Sequence, residues 1–191
     1  MDKNACTNFL NTLYPLEEDA LTSFQEKLHF EFYHKNEIIL REGDICTKLW
    51  FIDQGLVRGY YVENHLEVTA WFAQEDSFFY AAESFLNRTA SQETIQAVEK
   101  TQLMYVDRKD LYELYSSYPS INHAARIMAE KYRIVNQDRI KDLRNRKARE
   151  RLISFAQKHR CLFLRVPQKY IASSIGLSEG YVSDLLGKIR V

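Results

Sequence analysis

RVPQKYIASSIGLS, residues 165–178, is the segment that decides the C-terminal part of the fold. Ile171, Ala172 and Ile175 lie on one face of a helix, and the small side chain of Ala172 allows a second helix to approach closely. Gly176 tolerates the positive φ that ends such a helix, and Ser178 is a favourable N-cap for the next helix. The segment therefore predicts a helix-turn-helix.

The residues that follow Ser178 predict the second helix of this pair. Its apolar residues recur at helical spacing and face the first helix: Val182, Leu185, Leu186 and Ile189. The opposite side of this helix is polar and is therefore expected to face a partner or solvent. In a helix-turn-helix the second helix is the element that enters the major groove of DNA.

Charge is distributed unevenly along a chain whose formal net charge is zero. Residues 131–191 hold 15 Lys and Arg against 5 Asp and Glu, whereas residues 1–130 hold 11 against 21. So large an asymmetry favours a polyanion as the partner of the basic segment. Charge alone leaves two alternatives open: the two segments attract each other, or the basic residues form a solvated helical face.

Residues 29–107 contain short runs of aromatic and β-branched residues separated by turns, which is typical of a β domain. The predicted strands are 29–33, 37–40, 49–52, 56–62, 66–72, 94–98 and 102–106. This spacing predicts an antiparallel β-roll or jelly roll, and with flanking helices an α+β fold. Helices are predicted at 5–28, divided in two by Pro15, and at 146–160. A short helix is predicted around Leu111, Leu114 and Tyr115, before Pro119. Residues 162–164 read as a short extended link.

Residues 120–144 contain neither Gly nor Pro and predict one long helix. Its first apolar stripe has the spacing of a heptad repeat: Ile121, Ala125, Met128, Tyr132 and Val135. A second stripe lies on an adjacent face: Ala124, Ile127 and Ile134. If one face packs on the β domain and the other on a second copy of the helix, the chain is a homodimer with the first stripe as its interface. The alternative is one broad face packed within a monomer.

In this order, the segments resemble the Crp/Fnr family of transcription regulators. Residues 165–173 and Gly176-Leu177-Ser178 look like the helix-turn-helix of that family, in particular of its short forms. The β region looks like the glycine-turn framework of a cyclic-nucleotide-binding β-roll, on these residues: Lys35-Asn36-Glu37, Arg41-Glu42-Gly43-Asp44, Phe51-Ile52 and Gly55. The resemblance implies three domains: a sensory β-roll at 1–118, a dimerisation helix at 119–145 and a helix-turn-helix domain at 146–191.

The effector loop departs from the pattern of this family. Relatives that bind a cyclic nucleotide carry Gly-Glu for the ribose hydroxyl and, about nine residues later, an Arg that forks onto the phosphate. Here Ala81 and Ala82 stand in place of Gly-Glu, and Ser91 stands in place of Arg. A loop shift could recruit Glu83 and Arg88; alternatively, both are solvent-facing charges. The resemblance therefore implies an effector pocket that is degenerate for cyclic AMP, with a different small-molecule effector or none.

The residues that the resemblance assigns to DNA contact also depart from the family. Relatives that read a guanine-rich half-site carry Arg, Glu and Arg where this chain has Glu179, Gly180 and Asp184. Gly180 has no side chain to read a base, and Asp184 places negative charge where phosphates approach. The expected DNA-contacting residues are Gln168, Lys169, Ser178, Glu179, Tyr181, Ser183 and Lys188. DNA binding is therefore predicted with altered or weakened specificity.

Other classes of function are disfavoured. Cys6, Cys46 and Cys161 are odd in number and far apart, and the five His are scattered, so no disulfide, iron–sulfur cluster or other metal site is expected. There is no Gly-rich phosphate loop and no Ser nucleophile elbow, so we expect neither a cofactor nor an enzyme. The N-terminal residues do not read as a secretory signal and no apolar run spans a bilayer, which predicts a cytoplasmic protein without a membrane partner.

Two functions of different classes follow from these observations. The first is a homodimeric DNA-binding transcription regulator, in which the β-roll senses a signal and the long helices transmit it. Its switch is expected between Tyr132 and Arg139, because Arg139 stands where the heptad expects an apolar residue. The second is a non-enzymatic ligand- or protein-binding scaffold of the same architecture that has lost specific DNA binding, which Gly180 and Asp184 favour.

Overall fold

A computed structural model of the chain describes residues 3–145 and 147–188, and for Asn145 and Lys188 it describes the backbone alone. The helices are α1 (Lys3–Leu13), α2 (Glu18–Glu26), α3 (Ala82–Asn87), α4 (Arg108–Ser117), α5 (Pro119–Asn145), α6 (Ala148–Lys158), α7 (Leu162–Arg165), α8 (Gln168–Ser174) and α9 (Glu179–Lys188). The strands are β1 (His29–Tyr33), β2 (Ile38–Leu40), β3 (Lys48–Gln54), β4 (Leu56–Glu63), β5 (Leu66–Gln74), β6 (Phe78–Phe79), β7 (Thr94–Ala97) and β8 (Thr101–Asp107).

The strands form two four-stranded sheets, with the orders β1-β8-β3-β6 and β2-β7-β4-β5. In the first sheet every neighbouring pair is antiparallel, and Trp50 lies opposite both Tyr105 and Phe79. Helix α1 covers part of this sheet, because the ring of Phe9 packs 5.8 Å from that of Phe51 and 5.9 Å from that of Phe78. The predicted α+β fold with an antiparallel β-roll is confirmed.

The turns between strands lie where the sequence predicts them. Gly43 and Gly55 both have positive φ, +93° and +109°. At Gly55 there is a second requirement, because a Cβ there would lie 2.6 Å from Oγ1 of Thr101. Asn64 and His65 also adopt positive φ and form the turn between β4 and β5. Gly55 thus permits both a turn and a close approach of β8.

The chain divides into two compact units. The first comprises Met1–Gly59 and Phe72–Tyr132, and the second comprises Tyr60–Trp71 and Arg133–Val191. The second unit therefore contains the hairpin between β4 and β5, the last part of α5, and α6 to α9. The boundary within α5 falls directly after Tyr132, where the expected switch segment begins.

Three short elements differ from the sequence prediction. The extended link at 162–164 is wrong: these residues belong to α7, in which Leu162 is buried and accepts a hydrogen bond from the N–H of Val166 at 2.8 Å. Strand β6 and helix α3 were not predicted. Both are too short to show the periodicity by which a strand or a helix is recognised in a sequence.

Candidate functional site

The pair formed by α8 and α9 rests on one apolar core. Leu152 of α6, Ala172 and Ile175 around the end of α8, and Val182 of α9 are buried together. Partly buried apolar side chains close this core: Phe155, Phe163, Leu177, Leu185 and Leu186. Burial of these side chains holds α9 with a fixed side inward, as the sequence predicts, so the other side faces outward.

The turn between α8 and α9 has the predicted geometry. Gly176 has a φ of +65°, and its N–H donates to the carbonyl of Ser173 at 3.1 Å. The N–H of Leu177 donates to the carbonyl of Ala172 at 2.9 Å, which ends α8. At the start of α9, Oγ of Ser178 accepts the N–H of Tyr181 at 3.3 Å. This bond is the expected N-cap, since it satisfies an amide that has no partner within the helix.

The outward side of α9 carries most of the residues expected to contact DNA. The exposed residues are Ser178, Glu179, Gly180, Tyr181, Ser183 and Asp184, with Tyr181 40% exposed. In α8, Lys169 is exposed with its ammonium 5.0 Å from the ring centroid of Tyr170, whereas Gln168 is half-buried. The side chain of Lys188 and the whole of Ile189 lie outside the described residues. The structure thus groups the polar residues of α9 on one surface.

Several contacts at this turn could not be seen in the sequence. Nη2 of Arg139 in α5 donates to the carbonyl of Ser174 at 3.2 Å. Arg151 in α6 donates to the next two carbonyls, those of residues 175 and 176, at 3.0 and 3.2 Å. The N–H of Thr69 in β5 donates to Oγ of Ser173 at 3.2 Å. The end of α8 is therefore held from three elements of the second unit.

A groove of about 570 Å³ lies beside these contacts within the second unit. Its walls come from the β4–β5 hairpin, from α5 and from the end of α8, and include Tyr61, Thr69, Asn136, Arg139, Ile140 and Ser173. Because the groove is open, the hairpin, α5 and α8 are not packed solidly against one another there. The hydrogen bonds from Arg139 to Ser174 and from Thr69 to Ser173 cross this junction.

In the first unit, Ser91 is the residue that the resemblance predicts to replace the Arg of relatives that bind cyclic nucleotides. Ser91 is buried, and its hydroxyl donates to the carbonyl of Glu93 at 2.7 Å. Its N–H donates to the carbonyl of Asp44, and its own carbonyl accepts the N–H of Gly43, both at 2.8 Å. Ser91 thus joins two loops together through local hydrogen bonds.

The remaining residues of the expected effector loop lie in and around α3. Ala81 is buried and precedes the helix, whereas Ala82 and Glu83 are exposed in its first turn. Arg88 ends the helix in the left-handed conformation, with a φ of 60°, and its side chain is exposed. The backbone of Arg88 has a structural role, since its N–H donates to the carbonyl of Ser84 at 2.9 Å.

Helix α3 is held by two further residues that the sequence did not indicate. Oγ of buried Ser84 accepts the N–H of Cys46 at 2.8 Å and donates to the carbonyl of Thr89 at 2.6 Å. Nε of Arg108, at the start of α4, donates to the carbonyl of Phe85 at 2.8 Å. Neither residue belongs to a sequence motif. Arg108 bonds to a residue 23 positions earlier, and Ser84 acts through a buried hydroxyl, so neither contact leaves a local signal in the sequence.

The guanidinium of Arg108 lies near two aromatic rings. Its guanidinium lies 4.3 Å from the ring centroid of Tyr112 and 5.7 Å from that of Phe85. Tyr80 packs on Phe85 with ring centroids 5.0 Å apart. Burial, together with the nearby Tyr112 and Cys46, raises the pKa of Tyr80, and burial also raises the pKa of the Cys46 thiol. Both groups therefore stay uncharged at neutral pH, and the positive charges near α3 are those of Arg108 and of Arg88 at the end of the helix.

The expected dimer interface on α5 changes its exposure along the helix. Ile121 is 1% exposed within the single chain, so it belongs to the core of the first unit and its assignment to the interface is wrong. Ala125 and Met128 are half-buried. Tyr132 and Val135 are 45% and 61% exposed. The stripe therefore emerges from the core towards its C-terminal end, where an apolar surface is uncovered.

One group among the described residues has donor atoms close enough for a metal ion. These atoms belong to His29, Asp107 and Asp110 and lie within 4.8 Å of one another. However, Nζ of Lys27 already donates to Asp110 at 2.8 Å, and this hydrogen bond raises the pKa of Lys27. An ion would have to displace this ammonium, so we assign no metal here and the expected absence of a metal site stays a prediction. Among the described residues, no helix is long and apolar enough to cross a membrane.

Comparison with known proteins finds a similar domain family for the β-roll and solved structures with a similar fold for most of the chain. Residues 30–118 match the cyclic nucleotide-binding domain family. FixK2 from Bradyrhizobium japonicum is 18% identical with a TM-score of 0.72, over 85% of this chain and 84% of that chain. CLP, the c-di-GMP responsive global regulator of Xanthomonas campestris, is 16% identical with a TM-score of 0.73, over 91% and 92%. Comparison with curated proteins gives no significant match.

A third similar structure comes from Eubacterium rectale, a protein assigned to the crp/fnr family of transcriptional regulators. It is 18% identical with a TM-score of 0.70, over 94% of this chain and 88% of that chain. Residues 30–118 are therefore similar to cyclic nucleotide-binding domains, and the chain has the fold of solved Crp/Fnr-type regulators. The resemblance inferred from the sequence is confirmed at the level of the fold.

Proposed function

We propose that this chain is a non-enzymatic, homodimeric transcription regulator that contacts DNA through α8 and α9. The observation that carries this proposal is the α8–turn–α9 pair, whose second helix presents Tyr181 and Ser183 outward from a closed apolar core. A helix about 10–12 Å across fits the major groove, which is about 12 Å wide. The fold shared with crp/fnr regulators supports the same assignment.

The proposed dimer forms through the uncovered part of α5. Tyr132 and Val135 are exposed on one heptad stripe, and half-buried Met128 precedes them. Pairing of two such stripes would bury this apolar surface, which water disfavours. A two-fold dimer would place the α9 helices at half-sites about 34 Å apart, one turn of DNA.

The β-roll is proposed not to bind cyclic AMP, and to take a different small-molecule effector or none. A buried phosphate needs a positive partner, and Ser91 carries no charge. The side chain of Arg88 is exposed, and Nε of Arg108 already donates to the carbonyl of Phe85. Control by any ligand requires different affinities for two arrangements of the dimer. We place the switch between Tyr132 and Arg139, and we keep the proposed domains at 1–118, 119–145 and 146–191.

A second function is favoured by the acidic residues of α9. Glu179 and Asp184 are both exposed on the helix that would approach phosphates, and Gly180 between them offers no side chain. A scaffold that binds a ligand or a protein partner through this surface would not need to neutralise phosphates. This function predicts weak binding to DNA without preference for any sequence.

Binding of the purified chain to random duplex DNA across a salt series, followed by selection of bound sequences, tests the proposal. We expect an enriched palindrome and affinity that falls as salt rises. Lys169→Gln should weaken binding to all sequences and reduce the salt slope by about one, because a lost phosphate contact acts uniformly. The control is Lys109→Gln, a highly exposed lysine of the first unit, which should change neither quantity.

Tyr181→Ala tests sequence reading separately from phosphate contact. It should change or broaden the selected sequence while leaving the salt slope intact, because Tyr181 lies on the outward side of α9. Asp184→Asn should strengthen binding to all DNA, since it removes a negative charge from the same side. The regulator proposal is wrong if wild-type protein binds only weakly, enriches no sequence and does not respond to Asp184→Asn.

A further inference from the structure

We propose that Arg139 is a positioning residue that ties the dimerisation helix α5 to the end of α8 and so sets the orientation of α9. The inference rests on the proposed function and deepens it. Arg139 would act through Ser174 and α8, without itself contacting a base. It would be one connection by which a change at the dimer interface reaches the DNA-contacting helix.

The contact caps a helix end. Ser174 is the last residue of α8, and its carbonyl accepts Nη2 of Arg139 at 3.2 Å. The last carbonyls of a helix have no partner within the helix, and they carry the negative end of its dipole. A guanidinium placed there satisfies one carbonyl and compensates the dipole. The bond therefore stabilises α8 in one position relative to α5.

The surroundings of Arg139 make its hydrogen bond to Ser174 important for the orientation of α8. Arg139 is half-buried, whereas its neighbours Asp138 and Ile140 on α5 are exposed, so this side chain turns towards the second unit's interior. The open groove of about 570 Å³ has Arg139 in its wall. Where dense packing does not fix two elements, directional hydrogen bonds decide their orientation. The N–H of Thr69, bonded to Ser173, holds the same end of α8 from the hairpin.

Arg151 has a different task at the same turn and provides a matched comparison. It donates from α6 to the carbonyls of Ile175 and Gly176, at 3.0 and 3.2 Å. Because α6 shares the apolar core of α8 and α9, Arg151 fixes the shape of the turn within this helical module. Two residues of α5, the helix proposed to form the dimer, bond to this module. Asp142 accepts from Ser154 and Lys158 of α6 at 2.9 and 3.0 Å, whereas Arg139 reaches α8 itself.

The physical consequence is a loss of orientation without a loss of fold. Without Arg139, the core formed by Leu152, Ala172 and Val182 still holds α8 and α9 together. The dimer stripe on α5 is also intact. Specific binding requires two α9 helices at a set separation, whereas binding to random DNA depends chiefly on charge. Specific affinity should therefore fall while random affinity changes little.

The test compares Arg139→Gln and Arg139→Lys with Arg133→Gln, which removes the same charge from an exposed position of the same helix. Arg139→Gln should lower affinity for the selected site about tenfold, the effect of one charge-assisted hydrogen bond. Affinity for random DNA should stay within twofold of wild type, and the salt slope should stay the same. Arg139→Lys should restore part of the affinity, and Arg133→Gln should change affinity for the selected site by less than twofold.

Hydrogen exchange of the free protein provides a readout that does not depend on DNA. Arg139→Gln should speed exchange of the Thr69 amide, which bonds to Ser173 at the same end of α8, while the amides of the first unit keep their rates. Unchanged exchange at Thr69 would overturn the inference, even if the wild type proved not to bind DNA. Equal weakening on selected and random DNA, with a salt slope lowered by about one, would also overturn it, since Arg139 would then be a phosphate contact.

Discussion

Arg58 in β4 donates two hydrogen bonds to a single atom of Gln96 in the neighbouring strand β7. The distances to Oε1 of Gln96 are 2.9 Å from Nε and 2.7 Å from Nη2, and Arg58 is fully buried. Nε2 of Gln96 donates in turn to the carbonyl of Asn36 at 2.9 Å. A neutral amide thus connects a buried guanidinium to the turn before β2.

Replacement of Gln96 should destabilise the β-roll, because a buried charged donor loses an acceptor. We expect Gln96→Leu to lower the free energy of unfolding by about 1–3 kcal/mol in urea titrations. Gln102→Leu is the matched control, since Gln102 bonds to Gln54 at an exposed position. It should cost less than about 0.5 kcal/mol. Equal losses in the two variants would contradict the importance given to the buried pair.

Alanine substitutions at two glycines distinguish the energetic cost of backbone strain from the cost of steric overlap. Gly43→Ala should cost about 1–2 kcal/mol of unfolding free energy, because alanine disfavours a φ of +93° but meets open space there. Gly55→Ala should cost more, about 2–5 kcal/mol, since its Cβ would also lie 2.6 and 2.7 Å from two atoms of Thr101. Thermal or urea unfolding of both variants measures the difference. If both substitutions lower the free energy of unfolding equally, the close approach of β8 to Gly55 does not contribute to the cost.

Charges placed in the apolar stripe of α5 should prevent dimerisation. The double substitution Met128→Asp with Val135→Asp should give monomers in light scattering, because two copies of each carboxylate would be buried against each other. The control adds the same charges at exposed polar positions of the helix, Asn122→Asp with Gln137→Asp, and should stay dimeric. A variant that remains a dimer despite Asp at 128 and 135 would show that the interface lies elsewhere.

Cyclic AMP should have little effect on this protein. At 1 mM we expect a shift in melting temperature below about 2 °C, whereas a site with micromolar affinity would stabilise by more than 2.7 kcal/mol and raise it by several degrees. Glu83→Gln with Arg88→Gln should leave melting temperature and DNA affinity unchanged, because both side chains are exposed. If cyclic AMP raises the melting temperature strongly and the double variant abolishes this effect, then the loop recruits Glu83 and Arg88 to bind the nucleotide.

Much of the fold was predictable from local sequence signals. Pro15 divides the N-terminal helices, Gly176 ends α8, and Ser178 caps α9, as the sequence predicts. The absence of Gly and Pro between residues 120 and 144 likewise gave the long helix α5. These predictions succeed because φ preference, capping and periodicity act within a few residues of one another.

The site was predicted less completely, because its contacts join distant residues. The exposed surface of α9 followed from periodicity, but the bond from Arg139 to Ser174 spans 35 residues and that from Arg108 to Phe85 spans 23. Ile121 shows the same limit, since heptad spacing marks an apolar position without saying which neighbour covers it.

By itself, the sequence determined the order of the elements and the α8–turn–α9 pair, and it predicted that Ser91 replaces the family's Arg. Tertiary structure alone decided that the Ser91 hydroxyl bonds to Glu93, that Arg58 bonds to Gln96 and that Arg139 reaches α8. The physical reason is range: backbone preferences and periodicity are local, whereas a buried polar group takes whichever partner the folded chain places within hydrogen-bonding distance.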